Sequence, residues 1–159
     1  MDVQNGESEL TRRILARLDA QGIAYVKLEH EPVTTSEAAA GARASRLEQG
    51  AKALVLKSDD QYYLLIISAA LRVDNRKVRA LLGARRVRFA EPDELWQLTG
   101  CRPGAVPPFG NLVGLPVLMD DALLAEETVY FNCASHTVSL RMASADLVRA
   151  TGARVECFH

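Results

Sequence analysis

The chain has little with which to build covalent or metal-held structure. Its three cysteines, Cys101, Cys133 and Cys157, are odd in number and irregular in spacing. That argues against a disulfide framework and against a standard zinc ligand set, and it suits a reducing cytosol. The three histidines, His30, His136 and His159, never pair at ligand spacing, so neither a metal nor a cofactor is expected. No apolar run is long enough to span a bilayer, and the polar, acidic start of the chain is not a signal peptide. A cytoplasmic protein with no membrane partner is the expectation. The net charge of −1 supplies no global field to attract a nucleic acid, so DNA is not an expected partner and any nucleic-acid contact must come from a local basic patch.

What is present is the composition of one folded domain. A length of 159 residues suits a single core, with roughly two thirds of the unfolded surface buried on size scaling alone. Residues 1–9 read as a flexible tail and 10–159 as the domain. Leu10, Ile14, Leu15 and Leu18 fall at helical spacing, with Gly22 as the stop. Ile23 to His30 reads as a strand that Pro32 ends. Thr34 with Glu37 resembles a capping box opening a helix over Ser36 to Ala42. Ala51 to Lys57 and Tyr62 to Ile67 read as strands joined by a tight turn. Asp74 caps and Gly83 stops a helix over Asn75 to Leu82. A short strand at Val87 to Ala90 and a helix at Glu91 to Leu98 follow. Val117 to Met119 is a further strand, and Thr128 to Asn132 with Thr137 to Met142 forms a hairpin. Ser144 caps a last helix through Ala150, and Arg154 to Phe158 closes the chain as a strand. Helices and strands interleave without a βαβ rhythm. The expected class is therefore α/β of the mixed α+β kind: a single domain with a mixed, mainly antiparallel sheet and helices packed around it.

Four constellations carry chemistry. Lys52 interrupts an apolar strand, where it either points to solvent or meets a ligand in a pocket, because burying an ammonium without a partner is costly. Lys57, five residues on, falls on the opposite face. The glycine- and proline-rich stretch from Gly100 to Gly110 is either an irregular connection or a loop whose bare N–H groups bind a carbonyl or oxyanion. His136 is open to three readings: general base, hydrogen-bond donor or turn residue. No Ser-His-Asp or Cys-His arrangement accompanies it. Lastly, Arg72, Arg76, Lys77, Arg79, Arg85, Arg86 and Arg88 share only Asp74 as a nearby counter-charge. They form either a solvated face or a contact for RNA phosphates.

The segments Thr35 to Ala39, Gly50 to Val55, Leu71 to Asp74 with its basic helix, Val87 to Ala90, Gly104 to Gly110 and Asn132 to His136 resemble, in this order, a known family. It is the YbaK / prolyl-tRNA synthetase-associated domain family of freestanding trans-editing proteins. The resemblance covers roughly residues 10 to 158. It implies hydrolysis of the ester between a wrong amino acid and tRNA, most typically a tRNA for proline, with alanine, cysteine, serine or threonine as the rejected residue. Lys52 matches the pocket lysine that positions the tRNA terminus and the ester, and Gly104 to Pro107 matches the family's glycine-x-x-proline loop. The expected catalytic group is Lys52, Gly104 and His136. Thr35, Ala51, Ala105, Val106, Pro107, Asn132, Ala134 and Ser135 are the expected substrate contacts, and Arg72, Arg76, Lys77 and Arg79 the expected tRNA contacts. A transient prolyl-tRNA synthetase partner is also implied. A non-catalytic tRNA- or nucleotide-binding module of the same fold is the alternative.

Overall fold

Two β-sheets face one another across the larger of two hydrophobic cores. The computed structural model describes residues 8–159. In chain order the elements are α1 (Glu9–Ala20), β1 (Val26–Glu29), α2 (Ser36–Arg43), β2 (Ala51–Ser58), β3 (Gln61–Ser68), α3 (Asn75–Leu82), β4 (Val87–Phe89), α4 (Pro92–Thr99), β5 (Val117–Asp120), β6 (Thr128–Asn132), β7 (Val138–Ala143), α5 (Ser144–Thr151) and β8 (Arg154–Glu156). The expected tail falls mostly on residues 1–7, outside the described residues. Glu9 already belongs to α1, and the Ser8 hydroxyl accepts from Thr11 N–H as the N-cap of that helix.

The expected single sheet is resolved into two. One is a three-stranded antiparallel sheet in the order β1-β7-β6. The other is a five-stranded sheet in the order β4-β2-β3-β5-β8. In the second, β2 pairs antiparallel with β3 and β4, whereas β3–β5 and β5–β8 are parallel. Among the described residues, one isolated parallel bridge, Gly50 to Tyr130, links the two sheets. The alternation of β3 sorts its side chains between two cores. Leu64 and Ile66 face the larger one with Val129, Phe131, Leu140, Ile14 and Leu147. Leu65 and Ile67 face the smaller one with Leu56, Val78 of α3, Leu118 and Phe158. Phe109 and Phe131 meet at 5.7 Å between ring centroids and are both fully buried, each contributing roughly 1.5–3 kcal/mol.

Two expected caps shift. Thr35, not Thr34, is the N-cap of α2, its hydroxyl accepting from Ala38 N–H at 3.1 Å. Ser144 is the first residue of α5 rather than its cap, and its hydroxyl donates to the Glu126 carbonyl at 2.6 Å. The stretch after α4 is no loose surface connection. Cys101, Ala105, Val106 and Phe109 are buried in the larger core, which pins the loop from beneath and leaves Arg102, Pro103 and Gly104 exposed above it.

Candidate active site

A cavity of about 190 Å3 opens where α2 and the start of β2 meet the glycine-proline loop and β6. Thr34, Thr35, Ser36, Ala39, Ala40 and Arg43 come from α2 and its approach. Gly50 to Leu54 come from the β2 end, and Gly104, Val106 and Asn132 close the far side. Of the expected site residues, the fold thus brings Thr35, Ala51, Lys52, Gly104, Val106 and Asn132 together around one space. Among the described residues no carboxylate lines it, and Lys52 and Arg43 are the only charged groups that do.

Lys52 sits opposite Ile67 in the β2–β3 ladder and is half-buried. Its ammonium makes no hydrogen bond or ion pair among the described residues. Lys57 is used differently, lying 5.6 Å from the centroid of the Tyr62 ring in a cation–π contact. An ammonium in a cavity wall without an acidic neighbour is a donor waiting for an oxygen.

The loop is held from the β6–β7 turn by two side chains. Asn132 Nδ2 donates to the Gly104 carbonyl at 2.5 Å. His136 Nε2 lies 3.0 Å from the Pro103 carbonyl, and since a carbonyl only accepts, Nε2 is the donor. His136 therefore serves as a loop tether in this structure and does not line the cavity. Gly104 itself has φ of +87°, in the region that suits glycine. Its N–H has no hydrogen-bond partner among the described residues, so it is available to an incoming oxygen.

The other expected contacts lie off the cavity wall. Ala105 and Pro107 are turned into the protein and buried, because the loop needs an apolar underside. Ala134 takes φ of +59° in the β6–β7 turn. Ser135 Oγ accepts from Thr137 N–H at 3.0 Å and so shapes that turn. Arg72, Arg76, Lys77 and Arg79 also lie outside the cavity. Arg76 Nε stands 3.6 Å from Asp74, and Lys77 Nζ donates to the His159 carbonyl at 2.7 Å. Arg88, from the same basic stretch, is paired with Glu94 at 2.7 Å.

Sequence reasoning missed Arg43. Its spacing from Ala39 and Ala40 puts it on their face of α2, which was the available signal. Its Nε donates to Ser139 Oγ at 3.0 Å and its Nη2 to Asn132 Oδ1 at 2.8 Å. Desolvation pushes its pKa down to about 10, the Tyr130 hydroxyl acting weakly the other way. Ser139 Oγ is also 2.8 Å from His30 Nε2 and 3.2 Å from Asn132 Oδ1, so its single proton serves one of these at a time. A group with metal-ligand chemistry does exist elsewhere. Donor atoms of Asp120, Asp121, Cys157 and His159 lie within 4.8 Å of one another. The Asp120 carboxylate is spent, however, on Phe158 N–H, His159 N–H, Ala122 N–H and the His159 ring, and so fastens the end of β8 to β5.

The model of the aminoacyl-tRNA editing domain matches residues 30–150. The chain belongs to that family. This editing domain is 33% identical over 143 residues to the multifunctional Ser/Thr-tRNA deacylase ProXp-y of Escherichia coli (strain K12), across 87% of this chain and 86% of that one. It is 25% identical over 155 residues to the prolyl-tRNA editing protein ProX of Acetoanaerobium sticklandii, covering 92% and 94% of the two chains. A crystal structure described as a candidate trans-editing enzyme for prolyl tRNA synthetase superposes with a TM-score of 0.82 at 30% identity, over 96% of this chain and 98% of that one. The YbaK-type resemblance and the expected fold are thereby borne out, and the editing domain is an enzyme of the aminoacyl-tRNA deacylase class. No helix among the described residues is long and apolar enough to cross a membrane.

Proposed function

We propose that the chain hydrolyses, in trans, the ester that joins a small, wrongly attached amino acid to tRNA, with serine or threonine on tRNA for proline as the leading substrates. The observation that carries this reading is the acid-free cavity with an unpartnered Lys52 on one wall and the tethered Gly104 peptide on the other. A cavity of about 190 Å3 is smaller than the roughly 300–1,000 Å3 sites that enclose drug-sized ligands. It suits a small side chain and its ester, leaving the rest of a tRNA terminus outside. The absence of a cavity carboxylate gives a catalytic base no obvious place. The chemistry left to this chain is to orient the ester through Lys52 and to meet the developing oxyanion with the Gly104 N–H. A well-placed donor of that kind contributes about 3–4 kcal/mol to known hydrolases. The name of the Escherichia coli relative favours serine and threonine, while the solved neighbour's description favours a prolyl-tRNA synthetase as the enzyme whose errors are cleared, and as a transient partner. The role of Arg76, Lys77 and Arg79, outside the cavity, is to meet tRNA phosphates away from the reacting end.

The test is deacylation of tRNA for proline charged in turn with alanine, cysteine, serine, threonine and proline, by wild type and by Lys52→Ala. Hydrolysis of serine or threonine esters, lost in Lys52→Ala with an unchanged melting temperature, is the expected result. A fully active Lys52→Ala variant would falsify the assigned role of the lysine. Tight tRNA binding without turnover of any ester would turn the reading to a binding module.

A further inference from the structure

The structure assigns to Arg43 the role of a positioning residue that sets the catalytic loop from a distance, through Asn132. This rests on the deacylase reading for its consequence but not for its geometry. Three observations carry it. Arg43 lines the cavity with no carboxylate partner, although a desolvated guanidinium is costly without one. Its two hydrogen bonds are spent on neutral oxygens, Ser139 Oγ and Asn132 Oδ1. Asn132 then passes the constraint on, because its other amide atom holds the Gly104 carbonyl.

The chemistry of the groups makes this a directed line rather than a set of contacts. A guanidinium only donates and a carbonyl only accepts. Arg43 therefore forces Oδ1 of Asn132 towards α2, and Nδ2 is left pointing at Gly104. Without Arg43 only the longer Ser139 Oγ contact, at 3.2 Å and shared with His30, holds Oδ1 in place, and an amide that turns over would present its oxygen to the Gly104 carbonyl and repel it. His136 holds the preceding carbonyl, Pro103, from the same turn. In a trans peptide the N–H points away from the C=O, so fixing Pro103 O fixes the direction of the Gly104 N–H. Two adjacent carbonyls are thus clamped, and Arg43 sets one clamp. Lysine cannot replace it, since one ammonium does not reproduce the planar fork that reaches Ser139 and Asn132 together.

The experiment compares wild type, Arg43→Ala, Arg43→Lys, Asn132→Asp and the double variant Arg43→Ala/Asn132→Asp. Asn132→Asp keeps an acceptor for Arg43 but loses the donor to Gly104. Each single variant is expected to lower kcat by about 10–100-fold with little change in KM, the scale of a slight misplacement of a reacting group. The double variant is expected to lose no more than either alone. Trp96, the chain's one tryptophan, supplies a readout independent of activity. The Arg102 guanidinium covers it at 4.2 Å from the ring centroid, two residues before Gly104. Untethering the loop should raise acrylamide quenching of Trp96 in all the variants. Unchanged quenching together with losses that multiply in the double variant overturns the inference. Should Arg43→Ala fail to melt cooperatively, Asn132→Asp and Arg43→Lys decide the matter by the same two readouts. A wild type that hydrolyses no charged tRNA sinks the deacylase reading, and the quenching comparison still decides whether Arg43 sets the loop.

Discussion

Replacing Gly104 with alanine separates backbone strain from site chemistry when Gly114→Ala is made beside it. Both glycines take left-handed backbone, at φ of +87° and +76°. An L side chain there costs about 1–2 kcal/mol. Alanine also stiffens the unfolded chain, which offsets roughly 0.4–1 kcal/mol, so each variant should lose on the order of 1 kcal/mol. For a domain of this size that is about 2–4 °C in melting temperature. Steric conflict adds little at either position. A Cβ at Gly114 meets nothing within 4 Å, and at Gly104 its nearest neighbours are His136 Nε2 at 3.4 Å and the Thr34 carbonyl at 3.5 Å, ordinary contacts. The two variants should therefore melt alike. They should differ in turnover, because the strain at Gly104 twists the peptide whose N–H is proposed to meet the oxyanion. Thermal denaturation and deacylation of Ser- and Thr-charged tRNA measure the two effects. The expected pattern is similar melting temperatures, with kcat/KM reduced about 10–100-fold for Gly104→Ala alone. Wild-type turnover by Gly104→Ala, or an equal loss in Gly114→Ala, refutes the reasoning.

Thr11, fully buried in α1, donates to the Cys133 carbonyl at 2.6 Å, and Thr11→Val should lower stability by about 1–3 kcal/mol in urea or thermal unfolding. The Glu94 carboxyl is held well below its ordinary value by Arg88, then by the Tyr62 hydroxyl and Glu91 N–H. A depressed folded pKa means stabilisation that is present at neutral pH and fades as the carboxylate protonates. The stability gap between wild type and Glu94→Gln should accordingly be widest above pH 4.5 and close as the pH falls below it, followed by melting temperature against pH. Reversing Arg76, Lys77 and Arg79 to glutamate should weaken tRNA binding and reduce the salt slope of log K by about 2–3, measured by titration at several salt concentrations. An unchanged slope would show a merely solvated helix face.

Local signals in the sequence were enough for the elements whose ends are chemically marked. Helix α3 begins after Asp74 and ends at Gly83 as its cap and stop residues indicate, because those hydrogen bonds are made within a few residues. The β2–β3 hairpin and Lys52's separation from Lys57 follow from alternation alone. Two neighbouring threonines defeated the cap assignment at α2, since either offers the same hydroxyl and only the path of the chain selects Thr35. The division into two sheets was hidden because strand pattern reports a buried face, not which strands share it. Arg43 was hidden for a related reason. Its partners, Asn132 and Ser139, lie 89 and 96 residues away, so its spacing on α2 marks the face it shares with Ala39 and Ala40 but not what it binds. Glu94 escaped as the partner of Arg88 because the turn into α4 brings the two together.

The cavity wall draws on both sheets, on α2 and on a loop pinned from below, with residues running from Thr34 to Asn132. Its lining residues come from separate stretches of the chain, and the Gly50 to Tyr130 bridge between the sheets begins at the cavity's edge. Lys52 and Gly104 meet only after these long-range contacts have formed, and such contacts are slow to form because the chain must close large loops to make them. Completion of the proposed site is therefore expected to await the docking of the two sheets. A copy whose sheets have not docked is therefore expected to lack the proposed site, and with it deacylase activity.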